Sequence, residues 1–273
     1  MRGVYAVGST VYAATAGGLS ISTNGGTTFT NRTTANGLGS NFVYGVYAEG
    51  SNVYAATFGG VSISTNGGTS YTNYTTANGL GANQVNSVYA VGSTVYAATG
   101  GGVSISTNGG TSYTNYTTAN GLGGDNVRGV YAVGSTVYVA SQVGGLSIST
   151  NGGTSWTNYL GSSILSSVYA VGSTIYVATT GGLSISTNGG TNFTNYTTAN
   201  GLGSSNVNGV YAVGNTIYAA TEGGLSISTN GGLSFTNYTT ANGLGSSRVY
   251  GVSAADGIVY AATLGGVSVG ASN

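Results

Sequence analysis

The chain contains no cysteine, no proline and no histidine, and its four basic residues are all arginine. Without cysteine there is no disulfide and no thiolate metal site. Without histidine the Ser-His-Asp and Cys-His triads are excluded. Four arginines cannot form the basic stripe that nucleic acid requires, nor hold the chain on an anionic lipid surface. No apolar run approaches the roughly 18 residues of a membrane span. No signal peptide opens the sequence, so an extracellular or periplasmic protein would have its leader absent from this chain. The acids number only four, Glu49, Asp125, Glu222 and Asp256, and net charge is zero. No cofactor is expected.

Glycine supplies 52 of the 273 residues and tyrosine 22. The sequence repeats. The string that starts at Gly3 starts again at Gly45, Ser87, Gly129, Ser167, Gly209 and Gly251. Five copies are 42 residues long; the copy at 129–166 is shorter, gaining a residue near Gln142 and losing five after Tyr159. The repeats are thus 3–44, 45–86, 87–128, 129–166, 167–208, 209–250 and a partial 251–273, read as a single domain over 1–273.

Each copy divides into four short strands rich in valine, isoleucine, threonine and tyrosine. In the first they are Gly3 to Val7, Val11 to Thr15, Leu19 to Ser22 and Thr28 to Thr33. Asn24-Gly25-Gly26 is the clearest turn, because Asn-Gly tolerates the positive φ of a tight hairpin. A longer connection, Thr34 to Asn41, leads to the next copy. Four antiparallel strands in 40–45 residues match one blade of a β-propeller; a β-solenoid, with its usually shorter coils, is second. Six complete copies and a partial one predict an all-β, seven-bladed β-propeller. Its last blade is three-stranded, made from Val252 to Ala254, Ile258 to Thr263 and Val267 to Val269. That blade has an open outer edge, unless Gly270 to Asn273 frays across it.

Two resemblances agree with this. Ser22-x-Asn24-x-Gly26-x-Thr28-Phe29 resembles the Asp-box of sialidase-type propellers, with Asn in place of Asp. It recurs in six copies, the later five ending in Tyr71, Tyr113, Trp156, Phe193 and Phe235. The resemblance implies a structural turn before the outermost strand. Asn36-Gly37-Leu38-Gly39-Ser40-Asn41, with Val43 and the Gly17-Gly18-Leu19 element, resembles the repeat of two-component-regulator propellers of periplasmic sensors. Gly39 and Tyr12 replace that family's usual Pro and Trp. Both resemblances speak to fold more than to function.

The copies differ mostly on one face, formed by the second-to-third turns and the inter-blade connections. Candidate ligand-binding residues there are Arg2, Phe42, Tyr44, Phe58, Gln84, Asp125, Arg128, Gln142, Glu222, Arg248 and Tyr250. Aromatic and hydrogen-bonding side chains mixed on an exposed surface suit a ligand. Tyr5, Tyr12 and their equivalents read as inter-blade packing. Glycoside hydrolysis needs two carboxylates flanking one bond. Asp125 and Glu222 lie three blade positions apart, and Glu49 and Asp256 fall on the other face. No enzyme, catalytic residue or metal site is therefore expected. The sequence favours a non-catalytic extracellular or periplasmic binding propeller that recognises a glycan or protein ligand. The alternative is a structural subunit of an extracellular filament, sheath or surface layer, self-associating through the open blade edge.

Overall fold

The computed structural model describes residues 1–161 and 163–271. In the first repeat Gly3–Val7 pairs antiparallel with Thr10–Thr15, which pairs with Gly18–Ser22, which pairs with Thr30–Arg32. The outer strand is shorter than the sequence predicts. Thr28 gives its amide to Asn24 Oδ1, and Thr33 caps the following turn, so neither is free for the ladder. The same strand order recurs in six four-stranded sheets. The seventh has three strands, Val249–Ala255, Ile258–Thr263 and Gly266–Ala271. Its last strand outruns the expected Val267 to Val269; Ser272 and Asn273, part of the segment expected to fray, lie outside the described residues. Each innermost strand touches those of the blades on either side, and the seventh meets the first, where Ala6 N donates to Ser253 Oγ at 3.1 Å. The chain is a seven-bladed β-propeller.

The blades stick together because the pleat sends apolar side chains into the gap between neighbouring sheets. Between blades 1 and 2, Tyr12, Leu19, Ile21 and Leu38 meet Val43, Val53, Ala55 and Tyr71. Equivalent layers fill the following four seams. Tyr12 and its equivalents are buried there, in agreement with the sequence.

The Asn-Gly-Gly turn is built by side chains as much as by glycine. Ser64 Oγ donates to Asn66 Oδ1 at 2.8 Å and accepts from Gly68 N at 2.9 Å. Asn66 Oδ1 also accepts from Ser70 N at 3.0 Å, and its Nδ2 donates to Ser70 Oγ at 2.9 Å. Asn66→Ala removes these bonds and should cost about 1–2 kcal/mol, read as a lowered denaturation midpoint. An unmoved midpoint would mean that the glycine backbone alone holds the turn.

The inter-blade connections contain a 3₁₀ turn that the sequence reading missed, for example Thr34–Asn36. Thr33 and Asn36 cap each other, and Gly37 closes the turn at φ +93°. Leu38 then enters the seam, and Gly39 lies under the side chain of Asn73. The carbonyl of Gly39 presses on Gly59 of the next Gly-Gly pair: a Cβ at Gly59 would sit 2.2 Å from it. This latch explains why the Gly-Leu-Gly and Gly-Gly elements recur together. The shortened connection after Tyr159 has no 3₁₀ turn among the described residues, and Leu160 takes φ +54° to turn the chain.

Candidate binding site at the propeller mouth

Each innermost strand starts at the variable face and runs down a central channel. The residues just before its first glycine or serine form the mouth: Arg2, Tyr44, Asn86, Arg128, Ser166, Asn208 and Tyr250 surround an opening of about 300 Å³. Gln142, Ile164 and Leu165 complete its wall. Two strand positions further down, valines such as Val4 and Val46 narrow the channel, and beyond them stand Tyr5, Tyr47, Tyr89, Tyr131, Tyr169 and Tyr211. Successive rings in this belt lie 4.5–5.0 Å apart, centroid to centroid. The belt is interrupted at the seventh blade, which carries Ser253. The Tyr5 set thus packs between blades, as the sequence implied, and also lines the channel. Burial first, and neighbouring phenols next, hold the phenols of Tyr5 and Tyr169 well above the ordinary tyrosine range.

Backbone bonds set the second-to-third turn beside the inter-blade connection. Phe58 N donates to Phe42 O at 3.0 Å, Gln142 N to Asn126 O at 2.8 Å and Glu222 N to Asn206 O at 3.1 Å. This brings the candidate residues into three groups. Around the first blade, the Arg2 guanidinium lies 5.3 Å from the Phe42 ring and 6.0 Å from the Tyr250 ring, while Phe42 and Tyr44 are 5.3 Å apart. Such cation–π contacts hold a guanidinium in place without neutralising it. At the fourth blade, Arg128 Nε and Nη2 donate to Gln142 Oε1, which also accepts from Asn126 Nδ2. At the sixth and seventh, Glu222 takes an ion pair with Arg248 and a 3.0 Å hydrogen bond from Asn208. Hydrogen bonding to Tyr250 and the adjacent Glu222 carboxylate push the Arg248 guanidinium further up from its ordinary value.

Not every candidate reaches the mouth. Phe58 is 55 % exposed and stands outside it. Asp125 is spent on local structure: its Oδ1 accepts from Thr118 N at 2.6 Å. Asn41 and Asn83 do the same for Thr34 and Thr76. Gln84 acts through Asn86, to which it donates at 3.1 Å. Phe42, Glu222 and Arg248 form an outer tier behind the lining residues. Conversely, Asn86 and Asn208 line the mouth although they were not among the candidates. Each also donates across a seam, to Val127 O at 2.7 Å and Val249 O at 2.8 Å respectively. Ile164, Leu165 and Ser166 line it where the short connection enters the fifth blade. Their signal in the sequence was the length change itself.

No family model matches the chain, and no curated protein does. Solved structures do. One is the extracellular domain of a protein described as a hybrid two-component system from B. thetaiotaomicron. It is 18 % identical with a TM-score of 0.80, over 98 % of this chain and 38 % of that one. Another is PorZ, a bacterial surface component of the type-IX secretion system of Porphyromonas gingivalis. It is 18 % identical with a TM-score of 0.71, over 100 % of this chain and 37 % of that one. A third is YCF48 bound to D1 peptide, 15 % identical with a TM-score of 0.71, over 98 % of this chain and 91 % of that one. The chain therefore spans less than two-fifths of the length of the first two. Among the described residues no helix is long and apolar enough to cross a membrane. The chain shares its fold with extracellular domains described as belonging to hybrid two-component systems.

Proposed function

We propose that the chain is a non-catalytic binding propeller acting outside the cytoplasm, and that its mouth takes a ligand bearing a carboxylate. The ligand is an acidic glycan or the free carboxyl end of a peptide. One observation carries this. Arg2 and Arg128 stand three blade positions apart on a ring of seven, and neither has a carboxylate partner among the described residues. A guanidinium matches a carboxylate with two parallel hydrogen bonds. Tyr44 and Tyr250 flank Arg2 with ring faces for a sugar or an apolar side chain, and Asn86 and Asn208 add amides.

The same geometry speaks against hydrolysis. Glu222 is paired with Arg248, and Asp125 caps a turn. Glu49, on the far face, accepts from Gly92 N at 3.2 Å. Among the described residues no two carboxylates flank a common point at the mouth. The solved neighbours support the extracellular setting and a binding or sensing role.

The test is calorimetry with two probes, oligogalacturonate and a short peptide whose C-terminus is free or amidated. Saturable binding is expected for a carboxylate-bearing probe. The Arg2→Gln/Arg128→Gln double variant should weaken it about 10- to 100-fold, the worth of one or two charge-assisted hydrogen bonds. Phe58→Ala should leave it unchanged. Equal affinity for the amidated and free peptide, or an unaffected double variant, would overturn the proposal.

A further inference from the structure

The seventh blade holds a second site, at the rim and independent of the mouth. In blades 2, 3 and 6 the outer strand is received in the same way. The amide of its leading aromatic donates to the asparagine carbonyl that ends the preceding 3₁₀ turn: Tyr71 N to Asn36 O and Tyr113 N to Asn78 O at 2.8 Å, Phe235 N to Asn200 O at 3.0 Å. The asparagine two places on closes a further pair of bonds. Asn73, Asn115 and Asn237 each accept through Oδ1 from a third-strand serine, Ser62, Ser104 or Ser226, at 2.8–2.9 Å. Each donates through Nδ2 to a carbonyl of the Gly-Gly pair, that of Gly59, Gly101 or Gly223, at 2.8–2.9 Å. Tyr71, Tyr113 and Phe235 are buried against the preceding blade.

Every receiving group of this arrangement is present again at the seventh blade. The turn Thr240–Asn242 has the same Thr239 cap, and Gly243 has φ +93°. Gly265, Ser268 and the strand Gly266–Ala271 stand where Gly59, Ser62 and the third strand stand in blade 2. Among the described residues nothing takes the place here that the outer strand fills elsewhere. A Cβ on Gly37, Gly79 or Gly201 would meet the carbonyl of the incoming aromatic at 2.1–2.2 Å, whereas one on Gly243 meets nothing within 4 Å. Likewise a Cβ on Gly60 would meet Tyr74 O at 2.1 Å, and one on Gly266 meets nothing within 4 Å. Val269 is 51 % exposed where its equivalent Ile21 is 7 % exposed. The result is a groove of about 270 Å³ along the sheet edge, with Leu225, Ile227, Leu244 and Val259 on its wall and Ser268 within it.

We infer that this groove is an acceptor for an extended segment of the pattern aromatic-Thr-Asn-Tyr, which adds antiparallel to Gly266–Ala271 as the fourth strand. The occupant is identified by the other blades of the same molecule. The apolar wall takes the aromatic ring, the Asn242 carbonyl takes its amide, and Ser268 with the Gly265 carbonyl takes the asparagine side chain. An open strand edge supplies affinity through main-chain bonds, and these side-chain contacts supply selectivity. An unrelated apolar strand would leave the Ser268 O–H without an acceptor and the Gly265 carbonyl without a donor in a covered groove.

The test titrates the intact chain with a labelled synthetic peptide of sequence Gly-Gly-Thr-Ser-Tyr-Thr-Asn-Tyr-Thr, followed by fluorescence anisotropy and by thermal melting. Saturable one-to-one binding and a raised Tm are expected. Replacing the peptide's leading Tyr or its Asn by Ala should weaken binding at least about tenfold, the cost of one buried anchor. Val269→Asp, at an exposed position that leaves the fold intact, should abolish binding without lowering the Tm of the free chain. Absence of binding, or a scrambled peptide that binds equally well, would overturn the inference. So would a dimer that Val269→Asp dissociates and the peptide does not, because the edge would then belong to a second copy.

Discussion

Gly59→Ala should destabilise the propeller by about 2–3 kcal/mol, while Gly17→Ala, the same change at the same place in the repeat, should be neutral or slightly stabilising. The two glycines differ only in what the ring brings to them. The Cβ at Gly59 would lie 2.2 Å from Gly39 O and 2.7 Å from Gly39 C, and backbone cannot swing aside as a side chain would. To admit a methyl group the connection must lift, which exposes Leu38 and loosens Asn73 from the Gly59 carbonyl. At Gly17, among the described residues, the methyl would meet only Thr15 Oγ1 at an ordinary 3.8 Å. Neither residue has a positive φ, so alanine brings no backbone strain at either. Gly181 resembles Gly17, with Thr179 Oγ1 its one neighbour among the described residues at 3.8 Å, and Gly181→Ala should likewise be tolerated. Urea denaturation of the three variants decides the matter. Equal losses at all three would mean that the pair is needed for its own turn and not for the latch.

Raising the pH through and beyond about 10 should unfold the chain, whereas between about pH 6 and 9 its stability should be nearly flat. The flat region follows from composition, since no histidine, lysine or cysteine is present to titrate there. The alkaline loss follows from the tyrosines. Burial raises the phenols of Tyr12, Tyr54, Tyr96 and Tyr176 in the seams above their ordinary value of 10.0. Burial and phenol neighbours do the same for Tyr5, Tyr89 and Tyr169 in the belt. A phenol is neutral when protonated, so a raised folded-state pKa means that the folded chain holds its protons longer than the unfolded chain. The stability this contributes is complete below the unfolded value and drains away as pH climbs past it toward the folded one. Ultraviolet titration should show the buried phenols ionising in a single step coincident with loss of the far-ultraviolet β signal. Smooth ionisation of all 22 phenols with the fold intact would contradict the buried, closely stacked arrangement.

Much of this architecture was legible in the sequence because it is written seven times over. A repeat fixes strand number and turn position by self-agreement, so Asn24-Gly25-Gly26 and the three-stranded last blade needed no partner to be read. What the repeat does not carry is distance from the axis. Arg2 and Phe58 both lie on the variable face, yet one lines the mouth and the other stands outside it. Radial position depends on how inter-blade bonds such as Phe58 N to Phe42 O fold one loop against another. Asp125 drew notice as a rare charge, but its place matches Asn41 and Asn83, whose role is to hold a turn amide. The Tyr5 set was legible as packing because its spacing is invariant. That its rings also face a channel depends on ring closure, which a single repeat does not encode.

Closure leaves two seams unlike the rest. Between the seventh and first blades the buried core of the described residues reduces to Ala6, Val11 and Tyr260, with partly buried side chains around it. Between the fourth and fifth blades the connection is short, and among the described residues no glycine carbonyl meets Gly181 as Gly39 meets Gly59. Together they divide the ring into an arc of four blades and an arc of three. In a ring of near-identical blades the least packed joint should open first, so amides beside the seam of Ala6, Val11 and Tyr260 should exchange with solvent before those deep in either arc. The loss of five residues after Tyr159 thus changes how the fourth and fifth blades are tied along the chain while leaving the apolar layer between them in place.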